Sequence, residues 1–218
     1  MLARITSAAV LGIDAYLVDV ETDIANGLPS FVTVGLPAGA VKEGRERVNA
    51  AIHNAGYTFP LKRITVNLAP ADVRKEGSAF DLPIALGVLV AAGQILAGAL
   101  AGYVVLGELG LDGGIRPVRG ALSMAVAARQ AGLSGIILPA ANVREAAVVA
   151  GLDVRGAATL GEVLAHLDGG PPLARAEVDV DALFAARVAA DVDFAEVKGQ
   201  EHAKRALGSR QPAATTSS

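Results

Sequence analysis

The sequence predicts a mixed α/β domain of the α+β type, in which strands and helices alternate along most of the chain. Short runs of β-branched and aliphatic residues alternate with longer segments that are amphipathic or rich in Ala. The 218 residues are 52% hydrophobic but only 4% aromatic, with no Trp. The core must therefore be built from Ala, Val, Leu and Ile, which favours packed layers of helix and sheet.

The predicted elements follow one another with short connections. Strands are predicted at 3–11, 15–22, 31–34, 63–68, 103–108, 135–139 and 153–155, the last at a sheet edge. Helices are predicted at 41–55 with Gly56 after its end, from Asp81, at 120–131, at 142–150 capped by Asn142, and at 159–167. Thr159 and Glu162 form the pattern of a capping box. L-D-G-G-I (111–115) predicts a tight hairpin with a primed turn.

The stretch from Arg74 to Leu89 organises the rest of the chain. It begins with two cations, a carboxylate and a glycine, and continues through Pro83 into an apolar run. Proline is well placed in a first helical turn, and Asp81 is expected to cap that turn with its carboxylate. Because the apolar run carries no charge on any face, the helix is expected to be buried all round.

Composition bounds the class of protein. With no Cys, disulfides and thiolate metal sites are excluded. No signal peptide is apparent, and no uncharged run free of helix breakers reaches the roughly 18 residues of a membrane span, so we expect a soluble, cytoplasmic protein with no membrane partner. A formal net charge of −3 argues against general coating of nucleic acid.

Five motifs, in this order, resemble the N-terminal domain of the ComM/YifB family of magnesium-chelatase-like AAA+ ATPases. They are A-N-G-L-P-S-F (25–31), V-G-L-P (34–37), R-I-T-V-N-L-A-P-A-D (63–72), K-E-G-S-A-F-D-L-P-I-A-L-G (75–87) and G-E-L-G-L-D-G-G-I-R-P-V-R-G-A-L (107–122). K-G-Q-E-H-A-K-R-A-L (198–207) looks like the opening of the family's ATPase module.

The resemblance implies a Lon protease-like, ribosomal protein S5 domain 2-like fold. It divides the chain into a Lon-like domain at 1–168, a linker with the start of the AAA+ module at 169–207, and a disordered tail at 208–218. It also implies a hexameric ring that drives DNA branch migration in transformation and recombination. ATP and Mg would serve the full-length protein.

The resemblance to Lon raises the question of a serine–lysine peptidase dyad. Matched motif to motif, the serine position falls on Ala79 and the lysine position on Leu122, neither of which can perform the chemistry. Ser78 stands one residue early and is expected to point elsewhere, as a turn residue. Lys75 is expected to be solvated. We therefore expect this chain to be non-catalytic.

No Walker A motif occurs in the chain, so no cofactor is expected in it. The G-L-D-G-G loop lacks the lysine and hydroxyl of a phosphate loop. After Leu207 the resemblance predicts a helix and then such a loop, whereas the chain continues G-S-R-Q-P-A-A-T-T-S-S. We interpret this boundary as a truncation before the Walker A motif. The truncation is native, results from a frameshift or was introduced for expression, and the sequence does not distinguish these.

Basic residues provide the candidate nucleic-acid interface. The candidates are Lys42, Arg45, Arg74, Lys75, Arg116 and Arg119. In a Lon-like fold the last four should lie near one another at the edge of a vestigial cleft, and in a ring they could face the phosphates of single-stranded or branched DNA. The alternative is ordinary surface cations paired with Glu43, Glu46 and Glu76.

The remaining polar candidates have structural interpretations. His53, His166 and His202 are far apart without metal-ligand spacing. The carboxylates Glu76, Asp81, Glu108 and Asp112 could meet around the central loop, but capping and turn roles explain Asp81 and Asp112.

Three functions remain open from the sequence. The preferred one is a non-catalytic domain for ring assembly or DNA engagement. The alternatives are a degenerate or reassigned peptidase using Ser78 and a stand-alone module that binds a protein partner.

Overall fold

The computed structural model describes residues 2–96 and 98–176. The strands are β1 (Leu2–Leu11), β2 (Asp14–Ala25), β3 (Ser30–Val34), β4 (Arg63–Ala69), β5 (Tyr103–Val105), β6 (Glu108–Leu109), β7 (Ile115–Arg116), β8 (Gly135–Pro139) and β9 (Asp153–Ala157). The helices are α1 (Gly39–Asn54), α2 (Asp81–Ala91), α3 (Ala121–Gln130), α4 (Val143–Ala146) and α5 (Leu160–Leu167). The predictions for most of the linker, for the ATPase start, for the tail and for His202 lie outside the described residues.

The larger sheet has the strand order β1-β2-β4-β3. β1, β2 and β4 pair antiparallel, whereas β3 and β4 pair parallel through the crossover helix α1. One face carries Ile5, Val20 and Val66, which are at most 2% exposed, in the core that also contains residues of α1 and α2. On the other face, Arg4 donates to Glu21 at 2.8 Å. The alternation of apolar and polar residues in the sequence produces these two faces.

A parallel three-stranded sheet, in the order β5-β8-β9, forms the second layer. Its residues Val104, Ile136 and Val154 share a buried cluster with Met124 and Ala128 of α3 and with Ala8 of β1. Together these two sheets, the two-stranded sheet β6-β7 and the helices form a mixed α+β domain, which confirms the predicted class. None of the described helices is long and apolar enough to cross a membrane.

Helix α2 is buried along its whole length, as its uncharged apolar run predicts. All eleven of its residues are buried. Gly87 lets it lie close to the sheet, because a Cβ there would stand 2.6 Å from Thr22 Oγ1. α2 is thus the central element of the core, and its N-terminus is held in a fixed place.

The predicted strand 103–108 is wrong in one respect, because it is divided between two sheets. β5 ends at Val105, and the chain then crosses to β6 through Gly107. Gly107 donates to Ala79 O and accepts from Leu82 N, both at 2.9 Å. A Cβ at Gly107 would lie 2.7 Å from Ile115 Cγ2, so only glycine fits this crossing.

The hairpin between β6 and β7 also differs from the prediction. Its connection is the five-residue loop 110–114, not a two-residue primed turn. Only Gly113 of the paired glycines has a positive φ, of +83°. Asp112 Oδ1 accepts from Gly114 N at 3.0 Å and closes the loop from its own side chain.

Two predicted helix caps are wrong, and one is confirmed. Asp81 makes no capping hydrogen bond, and neither does Asn142, whose predicted helix is reduced to α4. The buried Asn142 side chain instead exchanges two hydrogen bonds with the Val118 backbone, at 2.9 and 2.8 Å. At α5, Thr159 Oγ1 accepts from Glu162 N at 3.2 Å, and Glu162 accepts from Ala158 N. The capping box therefore forms, with its return bond one residue early.

Candidate functional site

A cleft of about 740 Å³ brings together two of the segments singled out in the sequence. One wall is the loop 76–80 before α2, and the other is the segment 117–120 before α3. The end of β1 and the side chains of Glu108 and Ser123 complete it. Gly120 has a φ of +76°, and a Cβ there would lie 2.5 Å from Val10 Cγ2. The glycine therefore allows the second wall to approach β1.

The two dyad positions occupy different surroundings. Ala79 lines the cleft with a methyl group. Leu122 is 41% exposed on the first turn of α3, and its N–H donates to Glu145 at 3.0 Å. The polar residue that α3 presents to the cleft is Ser123, whose Oγ donates to Ile13 O at 2.8 Å. The lysine position of a Lon-type dyad thus has no cationic group, and its residue is absent from the cleft lining.

Ser78 does not point away, contrary to the expectation for a turn residue. It lines the cleft, and its hydroxyl donates to the Glu108 carboxylate. Glu108 also forms an ion pair with Arg116 across the hairpin at 3.4 Å. The acceptor beside Ser78 is thus a carboxylate and not the lysine that a Lon-type dyad would use. The cleft therefore contains a serine hydroxyl bound to a carboxylate, and that carboxylate pairs with an arginine outside the cleft lining.

The expectation that Lys75 is solvated is wrong. Its side chain is fully buried, and Nζ donates to Val73 O at 2.7 Å. Burial lowers the pKa of this ammonium group, while the Asp72 charge opposes the change. The Lys75 backbone also pairs with Leu36 O and Ala38 N. Lys75 therefore joins the loop before α2 to the loop before α1, and its buried ammonium group is not accessible to a phosphate.

Asp81 forms a buried ion pair with Arg47 instead of capping α2. Arg47 donates to both carboxylate oxygens of Asp81, from Nε to Oδ2 at 2.6 Å and from Nη2 to Oδ1 at 3.1 Å. The backbone N–H of Leu109 also donates to Oδ2, at 3.2 Å. Burial raises the pKa of Asp81, and the guanidinium and the Leu109 N–H oppose that rise. A Cβ at Gly44 would lie 2.4 Å from Asp81 Oδ1, so α1 needs glycine at this contact.

The other cationic candidates are exposed and divide between two regions. Arg74 pairs with Glu76 at 3.5 Å, and Arg116 with Glu108. Arg119 lines the cleft and makes no ion pair within the described residues. Of the six candidates only Arg119 therefore lines the cleft, whose lining also includes the carboxylates of Glu76 and Glu108. On α1, Lys42 is exposed, and Arg45 belongs to a different cavity.

No metal or phosphate site is formed by these groups. Within residues 2–96 and 98–176, no three His or acidic side chains come together as a metal site. The glycine loop 110–114 does not fit a phosphate either, because the Asp112 carboxylate accepts the Gly114 N–H inside it. A cradle of free N–H groups and a lysine, which ATP would need, is therefore missing from this loop.

Comparison with known proteins gives the family. Residues 20–142 match the family model described as subunit ChlI of Mg-chelatase. The chain is 42% identical over 209 residues to the competence protein ComM of Haemophilus influenzae and 42% identical over 206 residues to YifB of Escherichia coli. It is also 42% identical over 206 residues to an uncharacterized protein of Mycobacterium tuberculosis. Each alignment covers 94% of this chain but 40% of the relative, so the chain spans about two fifths of their length. This chain belongs to the Mg-chelatase-like ComM/YifB family and corresponds to its N-terminal region.

Proposed function

We propose that this chain is the non-catalytic, Lon-like N-terminal domain of a ComM/YifB-type AAA+ ATPase and that it engages DNA. In the full-length protein, which would use ATP and Mg, the domain would contribute to a cytoplasmic hexameric ring that migrates DNA branches during recombination. The printed name of one relative, a competence protein, agrees with a role in taking up or integrating DNA.

One observation carries the proposal. The two motif segments 76–80 and 117–120 meet at a cleft whose predicted nucleophile position is the methyl of Ala79 and whose lining includes Arg119, which makes no ion pair within the described part of the chain. Arg74 is close in sequence to the opposite wall, and its pair with Glu76 joins two side chains that are 69% and 75% exposed. Such a pair is worth little in water, so a phosphate can replace the carboxylate at small cost. The cleft thus offers Arg119, with Arg74 beside its other wall, as contacts for phosphate, although Glu76 and Glu108 also line it.

The peptidase alternative rests on Ser78. This hydroxyl does face the cleft, but its partner is Glu108, and Lys75 Nζ is bound to Val73 O. The reassigned site therefore has a serine hydroxyl beside a carboxylate, without the lysine base of a Lon-type dyad. The module that binds a protein partner has no comparable observation in its favour.

Charge reversal at the rim tests DNA engagement. Binding of a labelled DNA fork to the 218-residue chain is measured by fluorescence anisotropy over a salt series. We expect weak binding that falls steeply with salt, and a loss of about tenfold or more for Arg74→Glu with Arg119→Glu. Arg129→Glu, an exposed arginine in the last turn of α3, is the matched control. Equal binding by the rim variant and the control would refute the cleft as the contact surface.

A further inference from the structure

A second cavity, of about 260 Å³, lies between α1 and the residues that lead into β3 and β4. It shares no lining residue with the cleft. Helix α1 contributes Arg45, Asn49 and His53, which are four residues apart and so form one ridge of the helix. The segment 58–62, which ends at Lys62, forms the facing wall.

The facing wall is fixed by hydrogen bonds rather than left as a free loop. Gln94 clamps Thr58 from both sides, accepting from its N–H at 3.0 Å and donating to its carbonyl at 2.7 Å. Ser30 N donates to Lys62 O at 3.3 Å. The cavity is therefore a preformed feature, as small ligand sites usually are.

The rings of Phe31 and Phe59 both contribute to this cavity. Their centroids are 6.2 Å apart with an interplanar angle of 37°, and Phe59 is only 9% exposed. Phe31 is half-buried and lies at the beginning of the edge strand β3. Such partly exposed rings provide surfaces on which a flat aromatic ligand can stack.

The polar groups around these rings have a definite chemical character. Arg45 and Lys62 are cations, and no lining residue carries a carboxylate. Arg45 approaches Glu46 at 3.8 Å, but both side chains are more than half exposed, so this contact is weak. Positive charge is thus available beside an apolar aromatic surface.

Two hydrogen-bond acceptors complete the cavity. Asn49 Oδ1 is buried and has no partner within the described part of the chain. His53 Nδ1 lies 3.0 Å from the Asn49 carbonyl oxygen, which can only accept, so Nδ1 donates and the neutral ring keeps Nε2 as an acceptor. A ligand that brings N–H groups together with negative charge would satisfy both kinds of group.

We propose that this cavity binds one nucleotide of a single-stranded nucleic acid. Its base stacks on Phe31 and offers an N–H group to Asn49 or His53, while its phosphates contact Arg45 and Lys62. The volume lies just below the roughly 300–1,000 Å³ of ordinary ligand pockets, which suits one unit of a strand better than a whole cofactor. The inference rests on the DNA engagement proposed above and adds α1 as a contact surface.

The test uses the 218-residue chain and a labelled oligothymidylate of about 15 nucleotides, near the upper limit of single-domain site sizes. We expect Phe31→Leu, which keeps an apolar side chain but removes the ring, to weaken binding about tenfold, because one base stack has that worth. Arg45→Gln with Lys62→Gln should weaken it and reduce its salt dependence. Arg129→Gln is the matched control, and circular dichroism confirms folding.

An abasic oligonucleotide separates stacking from phosphate contact. It should bind the native chain more weakly than oligothymidylate, and Phe31→Leu should then cause no further loss. Unchanged binding in the cavity variants, with a loss in the Arg74 and Arg119 variant, would refute the cavity but leave DNA engagement intact. No oligonucleotide binding by the native chain would refute both. If thymidine monophosphate displaced the oligonucleotide at equal nucleotide concentration, the ligand would be a free nucleotide and not a unit of a single strand.

Discussion

At the scale of single residues, the ion pair of Asp81 and Arg47 is the main polar contact within the core. The Asp81 side chain is 1% exposed and that of Arg47 22%. The buried carboxylate therefore depends on Arg47 as its cationic partner. Arg47→Met should destabilise the domain by about 3–5 kcal/mol, because it leaves a buried carboxylate unpaired. Urea unfolding measures this difference. Combining Arg47→Met with Asp81→Leu should recover much of it, and a double variant as unstable as the sum of the singles would contradict the pairing.

Asp153 gives a residue-scale prediction about pH. Burial alone would raise its pKa, but hydrogen bonds from Tyr103 and Arg155, together with the charges of Arg155 and Arg175, hold the pKa below its usual value. A lowered folded-state pKa contributes stability above the unfolded value of about 3.9, and this contribution is lost as pH falls through the folded value. Asp153→Asn should therefore be less stable than the native chain at neutral pH, with the gap closing below about pH 3.9. A gap that widened in acid would contradict this sign.

The wrong predictions for single residues have one physical cause in common. Asp81, Lys75 and Asn142 each occupy a place where a local rule gives an ordinary role, as a cap or a solvated cation. Their real partners are Arg47, Val73 and Val118, and two of these three contacts depend on tertiary packing over 34 and 24 residues. Hydrophobic spacing does not encode such contacts. The glycine at position 44, opposite Asp81, was the available signal in the sequence.

At the scale of elements, prediction from sequence succeeded where one element is decided by its own residues. The uncharged apolar run after Pro83 predicted that α2 is buried on every side, and Thr159 with Glu162 predicted the start of α5. Strand 103–108 failed because its division depends on where Gly107 crosses between sheets, which is a tertiary fact. The meeting of segments 76–80 and 117–120 was expected from the family resemblance, whereas the cavity on α1 was not foreseen.

Packing of α2 on the sheet gives a prediction at Gly87. Alanine in a helix interior gains about 0.5–1 kcal/mol over glycine, but overpacking of a core costs about 1–3 kcal/mol. A Cβ 2.6 Å from Thr22 Oγ1 requires a shift of the helix or the strand, so the second effect should prevail. Gly87→Ala should therefore lower stability by about 1 kcal/mol in urea unfolding. In a Thr22→Ala background the same change should be neutral or stabilising, and an equal loss there would refute the contact.

At the scale of the whole molecule, we expect no peptidase activity. Ala79 and Leu122 stand at the dyad positions, and Ser78 donates to Glu108. Turnover of casein and of fluorogenic peptides by the purified chain should equal that of Ser78→Ala. Glu108→Gln provides the second comparison, because it removes the carboxylate that accepts from the serine hydroxyl. Activity that Ser78→Ala abolished would overturn the non-catalytic interpretation.

The chain as a whole is also expected not to bind ATP. The loop 110–114 carries its own carboxylate at Gly114 N, and the sequence has no Walker A lysine to reach the terminal phosphates. A ligand at its dissociation constant stabilises a fold by about 0.4 kcal/mol, and one at 1,000 times that value by about 4.1 kcal/mol. Each kcal/mol moves the Tm of a domain this size by about 2–4 °C. Millimolar Mg-ATP should therefore shift the melt by less than about 1 °C relative to Mg²⁺ alone, whereas a micromolar site would shift it by about 8–16 °C. If the larger shift were seen and Arg116→Gln abolished it, a phosphate site would lie at the hairpin between β6 and β7. That result would contradict the interpretation that Asp112 closes the loop 110–114.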